Sequence, residues 1–167
     1  MTLNADLTLA QLPSDAAEGL RQPRVVTLQA GQILFRFSSS DRPKETWAAR
    51  PWWMYEHDYR KIIQTNDESD LSLGLLGRWA MAVPQSVSKM DVVIKAVVLQ
   101  DVNAFCGLGR TQYRDLLPNG MWLTLRGWPH VNQLYIPNVG DAHGRTLLGY
   151  QALKVLRQKL ISSHQLA

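Results

Sequence analysis

The sequence predicts a single α+β domain of several short strands and two or three helices. Three observations carry this. The 167 residues are 46% hydrophobic, which is ample for one packed core. Two β-branched runs bounded by turn residues, around 24–37 and 91–100, read as strands rather than helices. Between and after them, apolar residues recur at helical spacing.

Residues 1–23 mix Asp, Gln, Ser and Pro with weak periodicity, and Pro23 closes them, so they read as a loosely attached arm with one short helix. The domain proper is then 24–167. Val25, Val26 and Thr27 lead through Gly31 into Ile33-Leu34-Phe35-Arg36-Phe37, a turn followed by a strand. Alternation sets Ile33, Phe35 and Phe37 on one face and Leu34, Arg36 and Ser38 on the other. Residues 38–50 are polar and form a loop long enough to border a site. Pro51-Trp52-Trp53-Met54-Tyr55 precedes a helix over 56–64, in which Tyr59, Ile62 and Ile63 share a face. After an acidic turn at 66–70, leucines lead to a strand at 79–83 that Pro84 stops.

Asp91–Gln100, rich in Val and Ile, is the strongest strand signal and belongs in a sheet interior. A loop-rich stretch follows, then short strands at 121–125 and 133–136. Leu148, Leu153, Leu156 and Leu160, near 3.6 spacing, predict a closing helix at about 146–162.

The bulk numbers exclude several classes. Cys106 is the one cysteine, so an intramolecular disulfide framework is excluded. No apolar stretch is long enough to span a membrane, and residues 1–15 lack the basic start and apolar run of a cleavable signal peptide. The expected location is the cytoplasm, or outside it by export without such a peptide. A net charge of +4 favours anionic partners without naming one. His57, His130, His143 and His164 lie far apart, so no zinc spacing arises and no metal is expected. Gly107-Leu108-Gly109 has Gln112 in place of a third glycine and reads as a tight turn, not a phosphate loop. Asp141-Ala142-His143-Gly144 reads as a polar loop with a helix cap.

Two constellations remain for chemistry. Arg36 stands mid-strand among half-buried groups with Ser38, Ser39 and Ser40 after it. A guanidinium there needs an anion, either an internal carboxylate or a ligand such as a pyrophosphate. Trp52, Trp53 and Tyr55 offer flat apolar surface for a heterocycle, or a core anchor at the helix entry.

An early-strand arginine, an aromatic helix entry and the late strand Gln133-Leu134-Tyr135-Ile136-Pro137 together resemble the mono-ADP-ribosyltransferase toxin and effector superfamily. The resemblance spans roughly 31–137. It implies short, mostly antiparallel strands in a split two-sheet arrangement that clamps NAD as substrate. It further implies that Arg36, with Ser38, holds phosphate or ribose, and that Trp52, Trp53 or Tyr55 braces the nicotinamide. The family's catalytic glutamate, four residues before the proline, is Gln133 here, and Val131 stands two residues earlier. A neutral amide exchanges hydrogen bonds but supplies no negative charge. Glu45, Glu56, Asp58, Asp101 and Asp115 are the carboxylates considered as substitutes. The Ser-Thr-Ser element of the family is echoed only by Ser86-Val87-Ser88.

The resemblance thus implies an ADP-ribosyltransferase or NAD glycohydrolase, a glycosyl-transferring bacterial toxin or effector with a protein or nucleic-acid target. A degenerate NAD-binding domain without turnover is one alternative. The other is a noncatalytic basic module, binding nucleic acid or a protein through Arg110, Arg114 and Arg126 beside Tyr113, Trp122 and Trp128. Oligomeric state is left open.

Overall fold

A computed structural model describes residues 1–43, 49–116, 122–140 and 149–162, with 113–116, 122, 123, 149 and 150 described by backbone alone. The fold is α+β, as expected. Seven strands form one sheet: β1 (Leu20–Leu28), β2 (Ile33–Ser38), β3 (Trp52–Tyr55), β4 (Val92–Val98), β5 (Val102–Gly109), β8 (Asn132–Tyr135) and β9 (Leu153–Leu160). Their order is β1-β5-β8-β3-β2-β4-β9, every pairing is antiparallel, and β6 (Gln112–Leu116) with β7 (Trp122–Leu125) makes a separate ribbon. The sheet is nearly two sheets. Its halves meet at β2 and β3 through only the pairs Leu34 with Tyr55 and Phe35 with Met54.

Alternation along β2 and β4 creates two cores. Leu34, Val92, Ile94, Ala96 and Val98 face one way with Trp53, Cys106 and Leu134. Phe35, Phe37 and Val93 face the other, under α2 (Glu56–Asp67) and α3 (Leu73–Met81). Helix α2 binds its partner through Tyr59, Ile62 and the fully buried Asp58, which accepts from Lys61 Nζ (2.9 Å) and from the Asn132 amide (3.1 Å). A buried carboxylate so supplied costs little, and it ties α2 to the start of β8.

Four expectations are corrected. The 79–83 strand is the end of α3. Ser72 caps that helix by accepting from the Leu75 amide (3.2 Å). Gly77 lets it press on Phe37, where a Cβ would stand 2.8 Å from the ring. The closing helix at 146–162 is instead one short turn, α4 (Gly149–Ala152), followed by strand β9. The open edge of β4 takes residues 153–160 as its partner, and a bulge at Leu156 interrupts the register. Leu156 and Leu160 are exposed at 49% and 65%, so the leucine spacing marks no buried helical stripe.

The segment 1–23 is docked rather than loose. Helix α1 (Ser14–Gly19) buries Ala16, Leu20 starts β1, and Asn4 donates to Pro137 O (3.0 Å). Gly107-Leu108-Gly109 is no turn but the end of β5. Its glycines allow close approach, since Cβ atoms there would lie 2.7 Å from Arg21 O and 2.8 Å from Met81 O. Residues 141–148 and 163–167, with Asp141, His143 and His164, lie outside the described residues.

Candidate functional site

Beyond Phe35 and Met54 the strands β2 and β3 part, and a cavity of about 390 Å³ opens between them. That volume lies in the range of small-ligand sites. Phe35 and Phe37 line it from one face of β2, and Arg36 and Ser38 from the other. A cavity can collect both faces of a strand only where its neighbour has peeled away. Residues 81–90 form a further wall. The buried Arg78 holds that wall by donating to Val83 O (2.9 Å) and Ser88 O (2.7 Å).

Arg36, Arg42 and Arg50 all line the cavity. The Arg36 guanidinium bridges the gap by donating to Trp52 O (2.8 Å). Burial, then repulsion from Arg50 and Arg42, pushes its pKa down to about 9. The guanidinium keeps its proton at neutral pH, and the lowering reflects burial together with three like charges around one cavity. Burial and Arg42 lower Arg50 in the same direction.

The serines after Arg36 divide. Ser39 Oγ accepts from the Lys89 amide (2.8 Å), and the Ser40 amide donates to Asp91 (2.8 Å), so both fasten the strand exit to the 88–91 segment. Ser38 is 2% exposed, and its Oγ has no hydrogen-bond partner among the described residues. Arg50 Nε is buried and unpartnered in the same sense. Two buried polar atoms left this way in one cavity wall are out of the ordinary for a folded chain.

Trp52 and Trp53 both contribute to the lining, but their tasks differ. Trp53 is a core anchor whose Nε1 donates to Arg50 O (2.9 Å) and so places Arg50. Trp52 stands edge-on to Tyr135 at 5.0 Å and carries Gly19 against its ring. Tyr55 does not line the cavity, unlike Trp52 and Trp53, with which the sequence groups it. Strand alternation turns it to the opposite face, where it packs on the first core and stacks with His57. Burial, with Cys106 beside it, pushes the Tyr55 pKa up to about 12.

Gln133 lies in the cavity wall, 6% exposed. Its Nε2 donates to Met81 O at the end of α3, which fixes the amide's orientation and leaves the carbonyl oxygen as its acceptor. Among the carboxylates considered as substitutes, Asp101 accepts from the Ala30 amide, Glu56 pairs with Arg60 and Asp58 is in the α2 latch, all outside the cavity. Glu45 and the Asp115 side chain lie outside the described residues. Among the described residues, the carboxylates that do line it, Asp15 and Glu18, come from α1, inside the segment read as an arm. Their i, i+3 spacing with the apolar Ala16 between them was the available signal.

No protein-family model matches the chain, and no curated protein matches its sequence. The fold resembles that of Rhs1-CT. That chain, solved in complex with its cognate immunity protein RhsI1, superposes with a TM-score of 0.50 at 11% identity, covering 86% of this chain and 85% of that one. Tse6, solved in complex with Tsi6, matches at a TM-score of 0.43 and 16% identity, covering 92% of this chain and 87% of the other.

For the basic-surface alternative, Arg110 is committed to Ala17 O (2.9 Å), and Trp128 stacks with His130 and packs on the second core. Arg126 is exposed, while the side chains of Tyr113, Arg114 and Trp122 lie outside the described residues. Among the described residues no group of three or more His, Cys, Asp or Glu could hold a metal, and no helix is long and apolar enough to cross a membrane.

Proposed function

We propose that the cavity binds NAD and that the chain is a toxin-type effector domain that breaks the bond between nicotinamide and ribose. The observation that carries this reading is the pair of buried, unpartnered groups, Ser38 Oγ and Arg50 Nε, in a cavity lined by Arg36, Arg42 and Arg50. A buried polar group without a partner costs about 1–3 kcal/mol. A pyrophosphate and its ribose would remove that cost by accepting from Arg50 and Ser38 while matching the planar fork of Arg36.

Trp52 gives the cavity a flat aromatic wall, and the oriented Gln133 carbonyl suits a ribose hydroxyl. The resemblance of residues 31–137 to ADP-ribosyltransferase effectors supplies the reaction class. The likeness to Rhs1-CT supports an effector role, since an immunity protein implies a chain harmful to the cell that makes it. The product is ADP-ribose, delivered to water or to a macromolecule.

The test is calorimetric titration of NAD into wild type and Arg36→Ala, with released nicotinamide followed in the same samples. Arg36-dependent binding with release is the expected result. Binding without release would sink the cleavage step and leave an NAD-binding domain. No binding at millimolar NAD would sink the whole reading.

A further inference from the structure

The cavity holds carboxylates that its arginine-rich side does not explain. Asp15 and Glu18 lie one turn apart on α1 and both line it. Their conditions differ. Asp15 accepts from the Ala16 amide (3.0 Å) and from Tyr135 OH (3.2 Å), so its oxygens are engaged in the fold. Among the described residues no hydrogen bond or ion pair engages the Glu18 carboxylate; only its main-chain carbonyl is held, by Gln112 Nε2 at 3.0 Å.

The backbone that carries Glu18 is rigidly placed. Arg110 donates its guanidinium to Ala17 O and its amide to Gly19 O, both at 2.9 Å. Gly19 sits so near Trp52 that a Cβ would be 2.6 Å from Cη2. Trp52 in turn accepts from Arg36 through its carbonyl. Trp52 therefore has the end of α1 against its ring and Arg36 on its main chain, within one cavity. Glu18 is exposed, where water reaches it.

We propose that Glu18 activates the water that attacks the ribose as nicotinamide departs, an inference that rests on the NAD reading above. The water oxygen bonds to C1′ and the glycosidic C–N bond breaks. Its electron pair goes to the nicotinamide nitrogen, which becomes neutral, and the water proton goes to the Glu18 carboxylate and then to solvent. The reaction needs only NAD and water. The carboxylate also places negative charge near the oxocarbenium-like transition state, which the neutral Gln133 cannot do.

The experiment measures NAD affinity by calorimetry and nicotinamide release by single turnover for wild type, Glu18→Gln and, as a carboxylate outside the cavity, Glu56→Gln. Glu18→Gln is expected to bind NAD within about twofold of wild type and to release nicotinamide about a hundredfold more slowly. Glu56→Gln should keep release within about threefold. Release by Glu18→Gln at the wild-type rate with unchanged binding overturns the assignment while leaving the NAD reading intact. So does loss of release in Glu56→Gln alone. NAD binding by wild type without release overturns the assignment and the cleavage step together, and absence of NAD binding overturns the whole reading.

Discussion

The two ends of the seam between β2 and β3 are made from adjacent residues and do opposite things. At the closed end Leu34 pairs with Tyr55 and is fully buried in an apolar core. At the open end, two residues along, Arg36 crosses a gap to Trp52 O, and Ser38 keeps a buried hydroxyl without a partner among the described residues. Apolar burial stabilises the first end, whereas the second holds polar groups whose desolvation a ligand would repay. Stability and binding are therefore expected to respond to different residues of the same strand.

The largest effect is expected at the closed end. Leu34→Ala should lower unfolding free energy by about 3 kcal/mol, through lost burial and the cavity left behind, measured by urea denaturation. The folded fraction should bind NAD as wild type does, and a loss of affinity would mean that the two ends are coupled. Next comes Arg36→Ala, expected to weaken NAD binding at least tenfold, or about 1.4 kcal/mol, by calorimetry. Its stability should change by less than about 1 kcal/mol, because an unfavourable buried charge leaves together with the hydrogen bonding that offsets it.

Ser38→Ala sharpens the contrast further. Removing an unpartnered buried hydroxyl should leave stability unchanged or raise it by up to about 1 kcal/mol, while NAD affinity falls several-fold. A destabilised Ser38→Ala would show that the hydroxyl is satisfied in the free protein.

The smallest effect is expected at Tyr55, on the far face. Tyr55→Phe should cost about 1 kcal/mol through its lost contact with Cys106 and leave NAD affinity unchanged. Because the Tyr55 hydroxyl has a pKa raised from 10.0 to about 12, the unfolded chain loses its proton first. The resulting stability is fully present below pH 10 and falls as pH rises from 10 toward about 12. Thermal melts across that range should show the fall, and Tyr55→Phe should make it shallower without abolishing it, because burial also raises Tyr135 to about 12.

Local pattern made part of this legible. The period-2 alternation of residues 33–38 specified which side chains share a face, and the valine-rich run at 91–100 specified a strand of the sheet interior. The helix expected over 56–64 followed from its apolar spacing, and it runs on to Asp67. Of the residues singled out for a site, the structure brings Arg36, Ser38, Trp52, Trp53 and Gln133 to one cavity and turns Tyr55 away.

What failed did so where a distant partner overrode local preference. Residues 153–160 carry a leucine spacing near the helical period, but the unpaired edge of β4 offers a row of backbone hydrogen bonds, and no local signal records that edge. Residues 1–23 look like an arm because their few apolar residues meet their partners only across the chain, as Leu20 and Ala16 do with Phe105 and Tyr135. That docking brings Asp15 and Glu18 to the cavity, and no spacing within residues 24–137 could have named them. The sequence by itself determined the α+β class, the faces of its strands and the arginine at a strand end. The tertiary structure decided where the sheet splits and which carboxylates face the split, because both depend on pairings between residues far apart in the chain.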